Sequence, residues 1–191
     1  RVSSSAASDV YKRQEKHNLK VGTIADLIDY KLSKESTIEN VHTKDVTTEY
    51  GEFKLNVWRD VIFDEYHFSL TKGFPEKVDV PMVRVQTQSV LQDTLGIDEI
   101  GKKWSIRKSL QKIADEGTGV FVLINHRDAK TYWLSNLKDE NIEPKRNRRV
   151  IGIGSQILRA IGLNKIKVLG TPTKYSGLSG FNIEIEGFID E

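Results

Sequence analysis

The stretch GVFVLI, residues 119–124, constrains this chain more than any other feature. It runs from a glycine through five apolar residues with no polar alternation, so the strand it forms has to be covered on both faces. Such a strand belongs inside a parallel sheet with helices on each side. The flanks agree. Trp104, Ile106, Leu110 and Ile113 recur at roughly helical spacing and stop at Glu116-Gly117. Ile157, Leu158 and Ile161 mark a second helix closed by Gly162, and KIKVL (165–169) reads as the next strand. Residues 82–85 give a short apolar strand, and residues 180–185 a further alternating segment. Helix–strand alternation at this spacing predicts an α/β fold with helices covering a mostly parallel sheet.

Upstream the period changes. Residues 37–73 read as an antiparallel section. Phe53, Leu55 and Val57 alternate with Lys54, Asn56 and Trp58, and Tyr66, Phe68 and Leu70 alternate with His67, Ser69 and Thr71. Residues 59–65 connect the two strands, and His67 is expected as a solvated or half-buried strand residue. KVGTIADLIDYKL (20–32) predicts a short helix with Thr23 as its cap. Residues 1–14 are rich in small polar residues and join nothing periodic, so they are set aside as a non-native or disordered leader. The expected organisation is this leader, a segment with its linker over 15–36, and a main domain over 37–191.

Composition narrows the chemistry. The 191 residues carry 29 basic and 27 acidic side chains, a net charge of +2, which gives no reason to expect nucleic acid or an anionic membrane as a partner. No apolar run approaches the ~20 residues of a membrane helix, and no signal-peptide pattern is present, so the expectation is a cytoplasmic protein. Cysteine is absent, which excludes disulfides, thiolate nucleophiles and thiolate-held metals. The four histidines, His17, His42, His67 and His126, show no HxxxH or HExxH spacing. Lys145, Arg146, Arg148 and Arg149 form a basic cluster that reads either as a solvated face or as a receiver of a phosphorylated ligand.

VRVQTQSVLQDTLG (83–96) turns from a buried strand into polar residues, where α/β enzymes keep their chemistry. This stretch, TEYGEFKLNVWRD (48–60), HFSLTKG (67–73), LQKIADEGTGVFVL (110–123), IGIGSQILRAIGLNKIKVL (151–169) and TPTKYSGLSGFNIEI (171–185) resemble, in order, the GTP cyclohydrolase II family of riboflavin biosynthesis. KHNLKVGTIADLIDYK (16–31) is similar to the last segment of 3,4-dihydroxy-2-butanone 4-phosphate synthase, which many bacteria fuse in front of a cyclohydrolase II domain. The resemblance implies the C-terminal part of such a fusion. Its synthase half would need Mg²⁺ and turn ribulose 5-phosphate into the butanone phosphate and formate.

The departures are as informative. The family holds zinc with three cysteines; here the matching positions are Ser89, and residues near Ile100 and Lys102, so zinc is not expected. Without that Lewis acid, opening the imidazole ring of GTP loses its activated water. An active enzyme with another metal set would have to draw on His67, His126 and Asp93. The family's Gly- and Arg-rich loop is replaced by NHRDAKTYWL (125–134). Arg84 and Lys174 match phosphate-side positions, so an anionic, phosphate-bearing ligand and a regulatory role stay open. Arg149 matches an arginine proposed as a nucleophile, but its acidic neighbour is replaced by Asn147. The resemblance further implies a homodimer and no cofactor within this part of the chain.

Overall fold

The computed structural model of the chain describes residues 12–14, 16–18, 30, 35–97, 104–125, 148–172 and 181–190. Seven strands among the described residues form one sheet: β1 (Ile38–Thr48), β2 (Gly51–Asp60), β3 (Glu65–Lys72), β4 (Met82–Thr87), β5 (Gly119–Ile124), β6 (Lys165–Leu169) and β7 (Glu184–Ile189). Their order is β1-β2-β3-β5-β4-β6-β7. The pairings β1·β2, β2·β3 and β3·β5 are antiparallel. Those of β4 with β5 and β6, and of β6 with β7, are parallel. The fold is therefore α/β with a mixed sheet, its N-terminal part antiparallel.

β5 joins the two halves, and its lack of polar alternation has the expected cause. Val120, Val122 and Ile124 pack with Ile153, Ile157 and Leu158 of helix α2 (Arg148–Ala160) on one face. Phe121 packs with Leu110 and Ile113 of helix α1 (Ile106–Glu116) on the other. Ser105 caps α1, its Oγ accepting the Lys108 N–H at 3.2 Å. Gly117, at φ +77°, ends it. Within α2, a Cβ on Gly154 would lie 2.8 Å from Val85 Cγ1, so glycine at this position lets the helix settle onto β4.

The structure adds to or departs from the sequence reading at four strands. β1 was not resolved as a strand in the sequence, because its residues from Glu39 to Lys44 are exposed and carry no apolar alternation. β7 starts at Glu184, four residues later than the expected segment at 180, and β4 runs on to Thr87. On β3 the deeply buried side is the polar one: Glu65, His67, Ser69 and Thr71 are buried, while Tyr66 is 46% exposed. His67 opposes Trp58 across the β2–β3 ladder, and Trp58 belongs to the core under α2. His67 is thus completely buried rather than solvated. The predicted helix within 20–32 lies outside the described residues apart from residue 30, which is helical.

Candidate functional site

Arg84 sits on β4 between the two helix layers and is 9% exposed. Its Nε donates to Gln86 Oε1 at 2.9 Å, Nη1 to the Leu169 carbonyl at 2.7 Å and Nη2 to the Trp104 carbonyl at 3.1 Å. The guanidinium so ties β4 to the end of β6 and to the approach to α1. Gln86, the first polar residue after the apolar part of the strand, is spent on holding Arg84.

Ser89 follows β4 and caps a single π-helical turn, Val90–Thr94. Its Oγ accepts from the Gln92 N–H at 3.4 Å, and its own N–H donates to Asp93 Oδ2 at 2.7 Å. Asp93 Oδ1 accepts the Ile106 N–H at 3.1 Å, at the start of α1. One carboxylate therefore links the loop after β4 to the helix that follows. This is an oxygen-and-amide arrangement with no thiolate, and a hydroxyl serving as a helix cap does not fit a tetrahedral zinc centre. Ile100 and Lys102 lie outside the described residues. Among the described residues no three His, Asp or Glu side chains are grouped to hold a metal ion. His126, Lys145, Arg146, Asn147 and Lys174 also fall outside the described residues.

Arg149 is better partnered than the sequence suggests. Its Nη2 donates to Glu65 Oε2 at 2.6 Å and to Asp60 Oδ2 at 3.2 Å. The guanidinium also lies 3.8 Å from the centre of the Phe63 ring. Asp60 and Glu65 are 2% and 7% exposed, and Arg149 is 24% exposed. The loss of an acid at position 147 is thus not a loss of carboxylate partners, because β2 and β3 supply two. Nor is Arg149 simply one of a solvated basic cluster. Asp60 Oδ1 meanwhile accepts the backbone N–H groups of Ile62 at 3.0 Å and Phe63 at 3.4 Å, shaping the turn between β2 and β3. The trio clamps the N-terminal end of α2 to that turn. An arginine is cationic in proteins and a guanidinium offers no lone pair, so the arrangement favours positioning over nucleophilic attack.

His67 lies beside this trio. Its Nδ1 accepts the Asn125 N–H at 3.2 Å, which places the proton on Nε2. Nε2 has no hydrogen-bond partner among the described residues. Burial holds the imidazole below its ordinary range; the Asp60 and Glu65 carboxylates oppose that effect and Arg149 adds to it. The cluster stands where β5 ends and α2 begins, the side of an open α/β sheet where ligands bind. Asp60 and Glu65 were missed because they read as the polar edges of a hairpin connection. The only available signal was a pair of acids bracketing an apolar turn, Val61-Ile62-Phe63.

Known proteins give the arrangement its context. A sequence profile of the GTP cyclohydrolase II family matches residues 39–190. The 3,4-dihydroxy-2-butanone 4-phosphate synthase of Pseudomonas syringae pv. tomato is 34% identical over 179 residues, covering 90% of this chain and 48% of that protein. The riboflavin biosynthesis protein RibBA of Aquifex aeolicus is 32% identical over 193 residues, covering 93% of this chain and 48% of that protein. The crystal structure of RibBX, a two domain 3,4-dihydroxy-2-butanone 4-phosphate synthase from A. baumannii, is 31% identical. It superposes with a TM-score of 0.66, covering 96% of this chain and 49% of that one. The chain thus spans about half the length of these relatives. With a matching profile over residues 39–190, the chain belongs to the GTP cyclohydrolase II family, although it has no cysteine to hold that family's zinc.

Proposed function

We propose that this chain is a cyclohydrolase II-like module that no longer opens GTP, and that it works within a protein whose other half makes 3,4-dihydroxy-2-butanone 4-phosphate from ribulose 5-phosphate with Mg²⁺. The observation that carries the reading is Ser89, with residues near Ile100 and Lys102, at the three thiolate positions, in a chain with no cysteine at all. The names of the relatives support the synthase half, since two of the three described above are synthases matched over about half their length. In this reading residues 37–191 form the module, 15–36 belong to the synthase side, and 1–14 are a leader. The protein acts in the cytoplasm, and no helix among the described residues is long and apolar enough to cross a membrane.

The test is an assay of the intact protein for both reactions. Formation of the butanone phosphate with no formate released from GTP is the expected result. Turnover of GTP by residues 37–191, with stoichiometric zinc in the purified protein, would overturn it.

A second reading, a regulatory module for a phosphate-bearing ligand, rests on the retention of Arg84 and Lys174. Arg84 already donates to two carbonyls and a glutamine, so an anion would have to share a guanidinium engaged in the fold. A melting-temperature scan against GTP, ribulose 5-phosphate and flavin nucleotides separates the readings. An upward shift supports the ligand, and no shift leaves the structural role.

A further inference from the structure

The turn between β2 and β3 is apolar where a turn is ordinarily polar. Val61, Ile62 and Phe63 follow one another on it and are 44%, 62% and 44% exposed. Tyr66, just beyond on β3, is 46% exposed. Connections of this kind favour glycine, proline, asparagine, aspartate and serine, and three successive exposed apolar residues are a liability unless they meet a partner.

The turn is also held in one shape. Asp60 Oδ1 accepts the N–H groups of Ile62 and Phe63, the Thr37 carbonyl accepts that of Val61 at 2.9 Å, and the Arg149 guanidinium lies over the Phe63 ring. Ile62 at its tip is therefore preorganised, and docking it orders little that is not ordered already. The pair Arg59 and Asp64, 2.8 Å apart at the same turn, supplies the polar rim that a docking surface carries.

Chain path and size select the partner. The chain reaches the sheet at this turn: Thr37, the residue before β1, donates its N–H to Gln156 Oε1 at 2.8 Å and accepts from Val61. Whatever precedes residue 35 is therefore tethered beside the turn. This chain spans about half the length of the relatives described above, and in the fused order the synthase half comes first. The four side chains expose on the order of 400 Å², against roughly 800 Å² per partner in a stable complex of free proteins. A tethered domain needs less, because its linker keeps it at an effective concentration in the millimolar range.

We propose that this turn docks the N-terminal half of the same protein, Ile62 being the anchor that fills an apolar recess there. That the half is a synthase rests on the functional reading above; that it docks at this turn does not.

Photo-crosslinking of the intact protein tests the docking. p-Benzoylphenylalanine at position 62, in a mixture of isotopically light and heavy chains, is expected to crosslink within one chain to peptides upstream of residue 15. The same label at position 74, where Phe74 is 62% exposed at the far end of β3, is expected to give no such crosslink. Ile62→Asp, at an exposed site, keeps the fold and should speed tryptic cleavage between the halves about tenfold by freeing them from each other. No crosslink from position 62, crosslinks between light and heavy chains, equal crosslinking from position 74, or an unchanged cleavage rate would overturn the proposal. The same sample is assayed for the butanone phosphate: no product, with the crosslink present, refutes the functional reading alone.

Discussion

Asp60 serves two structures with one carboxylate: Oδ1 shapes the β2–β3 turn and Oδ2 holds Arg149. Replacing it with alanine takes away one of the arginine's two carboxylates and leaves two backbone donors without their acceptor. Asp60→Ala is therefore expected to cost roughly 3 kcal/mol of stability, measured by urea unfolding, while Asp64→Asn, which suits the left-handed backbone at that exposed position of the same turn, costs under about 1 kcal/mol. His67 gives the molecule an acid-sensitive element. Burial places its folded pKa below the unfolded one. Its neutral form therefore contributes fully above the unfolded value of about 6.5, and the contribution shrinks as pH falls toward the folded value. Wild-type stability should decline over that window, and His67→Gln should flatten the decline; parallel slopes for the two proteins would refute the assignment. Residues of this kind are hard to read in a sequence. The missing cysteines were legible at once, because a ligand set is an identity. The partners of Arg149 were not, because Asp60 and Glu65 lie more than eighty residues away along the chain.

Elements were easier than residues, and the reason is periodicity. GVFVLI and KIKVL stand in the structure with the bounds their apolar runs predicted. α1 ends at the glycine that marked its stop. The β2 and β3 alternation located both strands but suggested the wrong buried face for β3, since alternation fixes which residues share a side and not which side a helix will cover. The covering helix reaches the sheet through Gly154. Gly154→Ala would drive a methyl into Val85 and is expected to destabilise by about 1–3 kcal/mol. Val85→Ala in the same chain should recover part of that loss, a non-additive result visible in a double-mutant cycle. Full additivity would mean that the helix sits clear of β4.

At the level of the whole molecule, β1 is an eleven-residue strand paired, among the described residues, on one edge only, by β2. An open edge of that length is a place for another strand to add, and a homodimer, expected from the family resemblance, is the simplest assembly that would use it. Light scattering should then give twice the chain mass of 21.7 kDa, and a monomeric mass at about 50 µM would count against it. The strand order has a different consequence, for how the chain is made. β3 and β4 are successive in the chain yet separated in the sheet by β5. A nascent chain synthesised only through β4 has a hairpin section and a lone strand with nothing to join them, and both present unpaired edges until residues 119–124 emerge. β5 then has to insert between strands already made, which is a slow, non-local step. The same six residues that announce the fold thus set the moment at which the growing chain is most exposed to aggregation.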